Sequence, residues 1–267
     1  MQYPLKPMSL GEILDTAFQV FTRNFLMLAG VGILMQAITY GLMFVMAFAV
    51  LSDGAPTLIG LILTSILGIV PLLLITPFGT AVSTKIIADR YLGKPTSMGA
   101  AFAFAFRILL PLLGAILLAG LLTTIGFICL IIPGIILSLR FALVGPAAVV
   151  EGRGGTTALR RSGELVQGEY GKIFLMMIII GFASGIVQYA VGVGLDPESW
   201  LGIIVPQIAA AVIGAYGATV WTITYFERRC AKEGFDLQVL AEALGEEIEF
   251  PDIEEETDED DAWATEQ

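Results

Sequence analysis

The chain has 267 residues, of which 56% are hydrophobic and only 15% charged, against roughly 25% charged in an ordinary soluble domain. A soluble protein of this length has more surface than so few charges can cover, so composition points to an integral membrane protein. The net charge of −11 is a local feature: residues 246–267 hold 12 acids and no base, and the remainder carries 13 acids against 14 bases. That near-neutral remainder has no basic stripe for nucleic acid. The absence of histidine removes Ser-His-Asp and Cys-His catalysis, and two cysteines alone leave no transition-metal site. No cofactor and no enzyme activity are expected.

In chain order, the first readable element is a short amphipathic helix over residues 9–23. Leu10, Ile13, Leu14, Ala17, Phe18 and Phe21 share one face. Ser9 followed three residues on by Glu12 predicts a capping box. Apolar segments then follow at Phe25 to Leu51 and Leu58 to Val82. Ala47-Phe48-Ala49 has the form of a signal-peptidase site, but the apolar run before it is too long and Glu12 and Asp15 precede it, so a retained first span is expected. The next segments are Ile108 to about Leu130, about Pro133 to Val150, Ile173 to Gly194, and Leu201 to Phe226. A membrane crossing takes about 20 apolar residues, so six transmembrane helices are expected. No polar loop divides the third from the fourth. The turn falls either at Ile131-Ile132-Pro133-Gly134, where proline suits a first helical turn, or nearer Thr123-Thr124.

With six spans and an inside N-terminus, all 14 Lys and Arg fall on cytoplasmic segments (Arg140 if it lies near its helix end), while the external loops hold Asp53, Asp196 and Glu198. This positive-inside pattern predicts two cytoplasmic termini. Further amphipathic connectors are read at about 97–106, before the third span, and about 157–167, before the fifth. The chain then reads as three copies of one unit, a short amphipathic helix followed by a transmembrane hairpin. Such connectors either lie in the lipid interface or pack on the bundle as elbows. Residues 246–267 read as a disordered acidic cytoplasmic tail.

Within the spans the polar residues are uncharged, among them Gln36, Tyr40, Gln188 and Gln207, which suits interhelical hydrogen bonds. No Asp or Glu lies mid-span, so a carboxylate proton relay has no candidate. Arg140 is the exception: it either snorkels to the interface or sits in a pocket. It could bind an anion or be clamped by Glu151, Glu164 or Glu169. Glu151, Arg160, Arg161 and Glu164 form a charge cluster that a salt-bridged connector explains. The glycines around Arg153 read as a linker, since no strand precedes them and no Walker lysine follows. Gly181 and Gly185, and Ala210, Gly214 and Ala218, recur every fourth residue, a spacing for close helix packing or a dimer face. Cys129 and Cys230 are expected in different environments, unpaired.

Three stretches carry a family resemblance: Ser9 to Asp15 with Arg23-Asn24-Phe25; Ile132-Pro133-Gly134 through Arg140 to Glu151-Gly152 and Ala158 to Ser162; and Glu233-Gly234-Phe235-Asp236-Leu237. Together they resemble the bacterial and archaeal membrane domain named after glycerophosphoryl diester phosphodiesterase. The resemblance spans roughly residues 8–240 and implies a six-helix module of the prokaryotic inner membrane with amphipathic connectors. The chain departs from the fused members of that family: the segment 246–267 is too short and acidic to be expected to form a barrel, there is no histidine, and Ala231 stands where a further basic residue is usual. The expectation is therefore a non-catalytic module organising membrane lipid, partner proteins or further copies of itself at the cytoplasmic face. The alternatives are a transporter or lipid-handling protein with an anion cavity near Arg140, and a membrane subunit of a larger complex.

Overall fold

The computed structural model describes residues 6–52, 58–196, 199–237 and 239. Those residues are all-helical. The elements are α1 (Leu10–Arg23), α2 (Phe25–Ser52), α3 (Leu58–Tyr91), α4 (Met98–Cys129), α5 (Ile131–Arg140), α6 (Val144–Glu151), α7 (Gly155–Val166), α8 (Tyr170–Val193) and α9 (Trp200–Glu233). Five segments among the described residues are long and apolar enough to cross a membrane: Phe25–Met46, Met98–Cys129, Ile131–Glu151, Tyr170–Val193 and Trp200–Glu233. Much of their large apolar surface is exposed, including Leu26, Phe44, Leu121, Ile128, Phe182 and Leu201, as expected of helices whose solvent is hydrocarbon. The acidic segment 246–267, with Asp53 and Glu198, lies outside the described residues.

α1 begins as its sequence requires. The Ser9 N–H donates to a Glu12 carboxylate oxygen at 2.7 Å and the Glu12 N–H donates to Ser9 Oγ at 3.4 Å, closing the capping box. Ile13, Ala17, Val20 and Phe21 are buried. The ring of Tyr216 on α9 meets Phe18 and Phe21 edge-on, and its hydroxyl donates to the Leu14 carbonyl at 3.3 Å. α7 also packs on the bundle: Ala158, Leu159, Leu165 and Val166 are buried. Both connectors are therefore elbows on the bundle.

Three boundaries differ from the sequence reading. No separate helix forms over 97–106: Ser97 caps Ala100 and α4 then runs unbroken to Cys129, because nothing before Pro111 interrupts the helix. Of the three expected connectors, the second is thus no separate helix. The turn between the third and fourth apolar segments falls at Leu130, beside the Ile131–Gly134 alternative. Gly126 there faces Gly134 and Leu137. The segment Pro133 to Val150 is two helices, α5 and α6, divided at Phe141–Leu143. Pro146 cannot supply an N–H to the carbonyl four residues back, which favours a break there.

Candidate functional site

The C-terminal turns of α9 gather the charges. Arg161 of α7 donates through Nε to Glu151 of α6 at 2.6 Å and through Nη2 to Glu233 of α9 at 2.7 Å. The Tyr225 hydroxyl donates to the same Glu151 oxygen at 2.8 Å, and Arg229 Nε donates to Glu233 at 3.1 Å. The guanidinium of Arg229 lies 4.0 Å over the Phe235 ring, a cation–π contact. The bond to Glu233, then that to Glu151, hold the Arg161 guanidinium above its ordinary pKa, against the effect of burial. On the neighbouring face of α9, Glu227 is only 2% exposed. It accepts from Lys172 of α8 at 2.8 Å, and Lys172 also donates to the Met8 carbonyl at 2.6 Å. Arg228 donates to the Leu165 carbonyl at 3.1 Å and lies 3.5 Å from Glu169. One helix end thus ties α1, α6, α7 and α8 together.

A polar cleft of about 420 Å³ opens beside this hub, lined by Glu151, Arg153, Thr157, Arg160, Arg161, Glu164 and Arg229. Its cations differ in occupancy. Arg161 and Arg229 are engaged as above. Arg160 is 77% exposed and meets Glu164 at 3.4 Å, a contact of little energetic weight. Arg153 has no ion-pair partner among the described residues. The next residue, Gly154, packs on the Pro111 carbonyl of α4, where a Cβ would clash. Arg107, one helical turn before Pro111, is exposed and likewise unpaired.

Arg140 is exposed and lies against Gly163 of α7, where a Cβ would come within 2.8 Å of its Nε. Its backbone carbonyl, not its guanidinium, is what α7 holds: Ser162 Oγ donates to it at 2.7 Å and accepts from the Leu143 N–H at 3.1 Å. Glu151, Glu164 and Glu169 pair with Arg161, Arg160 and Arg228 instead. The structure therefore brings Glu151, Arg160, Arg161 and Glu164 together and leaves the Arg140 side chain outside the cluster. The partners that sequence reading missed are Tyr225, Glu227, Arg229 and Glu233, all on α9. Tyr225, Arg229 and Glu233 recur every fourth residue, a face visible in the sequence without its partner being so.

A second, larger cavity of about 730 Å³ lies between α3, α4, α5, α6 and α9. Its lining has no charged side chain, and Arg140 lines neither cavity. The small-residue stripes divide in role. Gly181 and Gly185 are exposed, and a Cβ at either would meet nothing within 4 Å. Ala210, Gly214 and Ala218 line a gap of about 210 Å³ between α2, α3 and α9. The close approach is made elsewhere, by Gly32 of α2, where a Cβ would lie 2.9 Å from the Ala211 carbonyl. Cys129 is exposed at the end of α4 and Cys230 is buried on α9; both are free thiols. Among the described residues no three His, Cys, Asp or Glu are grouped to hold a metal.

Fold and site together define an all-helical protein with the helices of a membrane protein and a charged hub at one end. The chain matches no protein-family model, no curated protein and no solved structure.

Proposed function

We propose that this chain is a six-span, non-catalytic protein of the prokaryotic cytoplasmic membrane that gathers anionic lipid at the cytoplasmic leaflet, with both termini on that side. α3 supplies the sixth span, and the uneven distribution of Lys and Arg supports the orientation. One observation carries the lipid assignment. At the end of the bundle where Lys172, Arg161, Arg228 and Arg229 are all engaged by protein carboxylates, Arg107, Arg140 and Arg153 are left without one among the described residues. A guanidinium presents a fork that matches a phosphate bidentately, and phosphodiester headgroups are the anions abundant at that level of a membrane.

The test is the double variant Arg140→Gln/Arg153→Gln, purified in mild detergent, with co-purifying phospholipid quantified by mass spectrometry. Bound anionic lipid should fall two- to fivefold while thermal stability changes little, because neither side chain makes an ion pair or hydrogen bond among the described residues. Unchanged anionic lipid would overturn the assignment.

A further inference from the structure

We infer that the 730 Å³ cavity binds a neutral membrane amphiphile, one long apolar chain or pair of chains bearing a hydroxyl or carbonyl head. The volume falls within the roughly 300–1,000 Å³ of ordinary ligand pockets. Its chemistry is mixed in a specific way. Ile116, Phe127 and Trp221 give an apolar wall, while Thr80, Thr84, Thr123, Thr124 and Ser138 bring five hydroxyls from α3, α4 and α5. Thr80 and Ser138 donate to carbonyls of their own helices, Thr76 at 2.9 Å and Ile135 at 2.7 Å, and so keep lone pairs for a donor. Thr84, Thr123 and Thr124 have no hydrogen bond within the described chain and can both donate and accept. Hydroxyls left unmatched in an apolar setting are costly, and these converge on one space.

The absence of any charged lining residue decides the class of head. A phosphate or carboxylate brought here would lose its hydration with no cation to meet it, whereas an alcohol or ester carbonyl would be satisfied by threonines. The backbone gives an independent sign. The α5–α6 break lies at the cavity, and Phe141, Ala142 and Pro146 all line it. Non-helical backbone inside a membrane bundle is tolerated where it lines a cavity, and in many transporters discontinuous helices form the binding site. Entry is from the bilayer. On α4, Gly120, Thr124 and Phe127 are exposed at the mouth, flanked by exposed Leu117, Leu121 and Ile128. Only a lipid-soluble molecule approaches that surface. The cavity shares no lining residue with the arginine cleft, so this inference stands apart from the proposed headgroup role.

The experiment uses the full chain in phosphatidylcholine vesicles doped with a diacylglycerol that carries a diazirine and an alkyne on one acyl chain. After irradiation, cross-linked peptides should map to residues 116–127 and 138–146. Unlabelled diacylglycerol or a long-chain alcohol should compete, and phosphatidylglycerol should not. A Cβ at Gly120 would meet nothing within 4 Å, so Gly120→Trp fills the space without moving backbone and should cut labelling at least tenfold. Thr123→Val/Thr124→Val preserves volume and should weaken competition by the alcohol severalfold, a readout that remains if the tryptophan variant fails to fold. Arg140→Gln/Arg153→Gln should leave labelling unchanged. Equal competition by phosphatidylglycerol, or cross-links spread evenly over the exposed faces of α2 and α8, would overturn the inference.

Discussion

The Lys172–Glu227 pair provides the sharpest test of the charged hub. At 2.8 Å and an effective dielectric near 20, the attraction between two unit charges is about 6 kcal/mol. Withdrawing each ion from water costs several kcal/mol, so the net value of the pair is small. The pair is also incompletely served: Glu227 is 2% exposed, and its second carboxylate oxygen is buried without a hydrogen-bond partner. Removing Glu227 leaves the Lys172 ammonium with the Met8 carbonyl alone, and removing Lys172 leaves Glu227 only the longer 3.8 Å contact to Arg228, so Glu227→Met and Lys172→Met should each destabilise by about 3–5 kcal/mol. Lys172→Met additionally frees the Met8 carbonyl ahead of α1. The double variant replaces the pair by apolar bulk and should lie within about 1 kcal/mol of wild type, a coupling of about 3 kcal/mol or more in the double-mutant cycle. The measurement is reversible unfolding in mixed micelles by added dodecyl sulfate, followed by circular dichroism. Singles that each cost under about 1 kcal/mol, with a double equal to their sum, would mean that the pair is solvated and does not tie α8 to α9.

Four further outcomes can be measured. Gly134→Ala should destabilise by about 1–3 kcal/mol in that assay, because its methyl would run into the Phe127 ring. Gly181→Ala should be neutral or stabilising; an equal loss there would mean that α8 packs on a second copy. The Glu12 carboxyl is held down to about 2 by the Ser9 N–H first and Lys6 second. A depressed carboxylate stabilises above its unfolded value and loses that contribution as pH falls, so the α1 cap should hold from neutral pH and open between about pH 4.5 and 2. A Glu12 side-chain carbon titrating near 4.5 by NMR would refute the cap. Finally, single cysteines at Gly54 and Pro197, in the Cys129→Ser/Cys230→Ser background, should react with impermeant reagents from outside spheroplasts, and those at the exposed Thr156 and at Glu247 should not. The reverse pattern would invert the proposed orientation.

Where a feature depends on neighbours within a few residues, the sequence was enough. Ser9 and Glu12 announce the α1 cap because a capping box closes within three residues. The long apolar runs announce membrane helices because hydropathy is a sum over one segment, and the glycine and proline after Leu130 mark the hairpin because backbone freedom is local. The same locality misled at 97–106, where an amphipathic pattern suggested a separate helix although nothing ends it before the span. What the tertiary structure alone decided is which groups meet. Arg161 finds Glu233 across 72 residues, Tyr225 finds Glu151 across 74 and Lys172 finds Glu227 across 55, while Arg140, the arginine that stood out by its position in an apolar run, finds no carboxylate among the described residues. Five hydroxyls scattered over α3, α4 and α5 share one cavity only because those helices converge around the α5–α6 break. Ion pairing and empty volume depend on how helices cross, and crossing is set by side chains distant in sequence that pack together only in the assembled bundle.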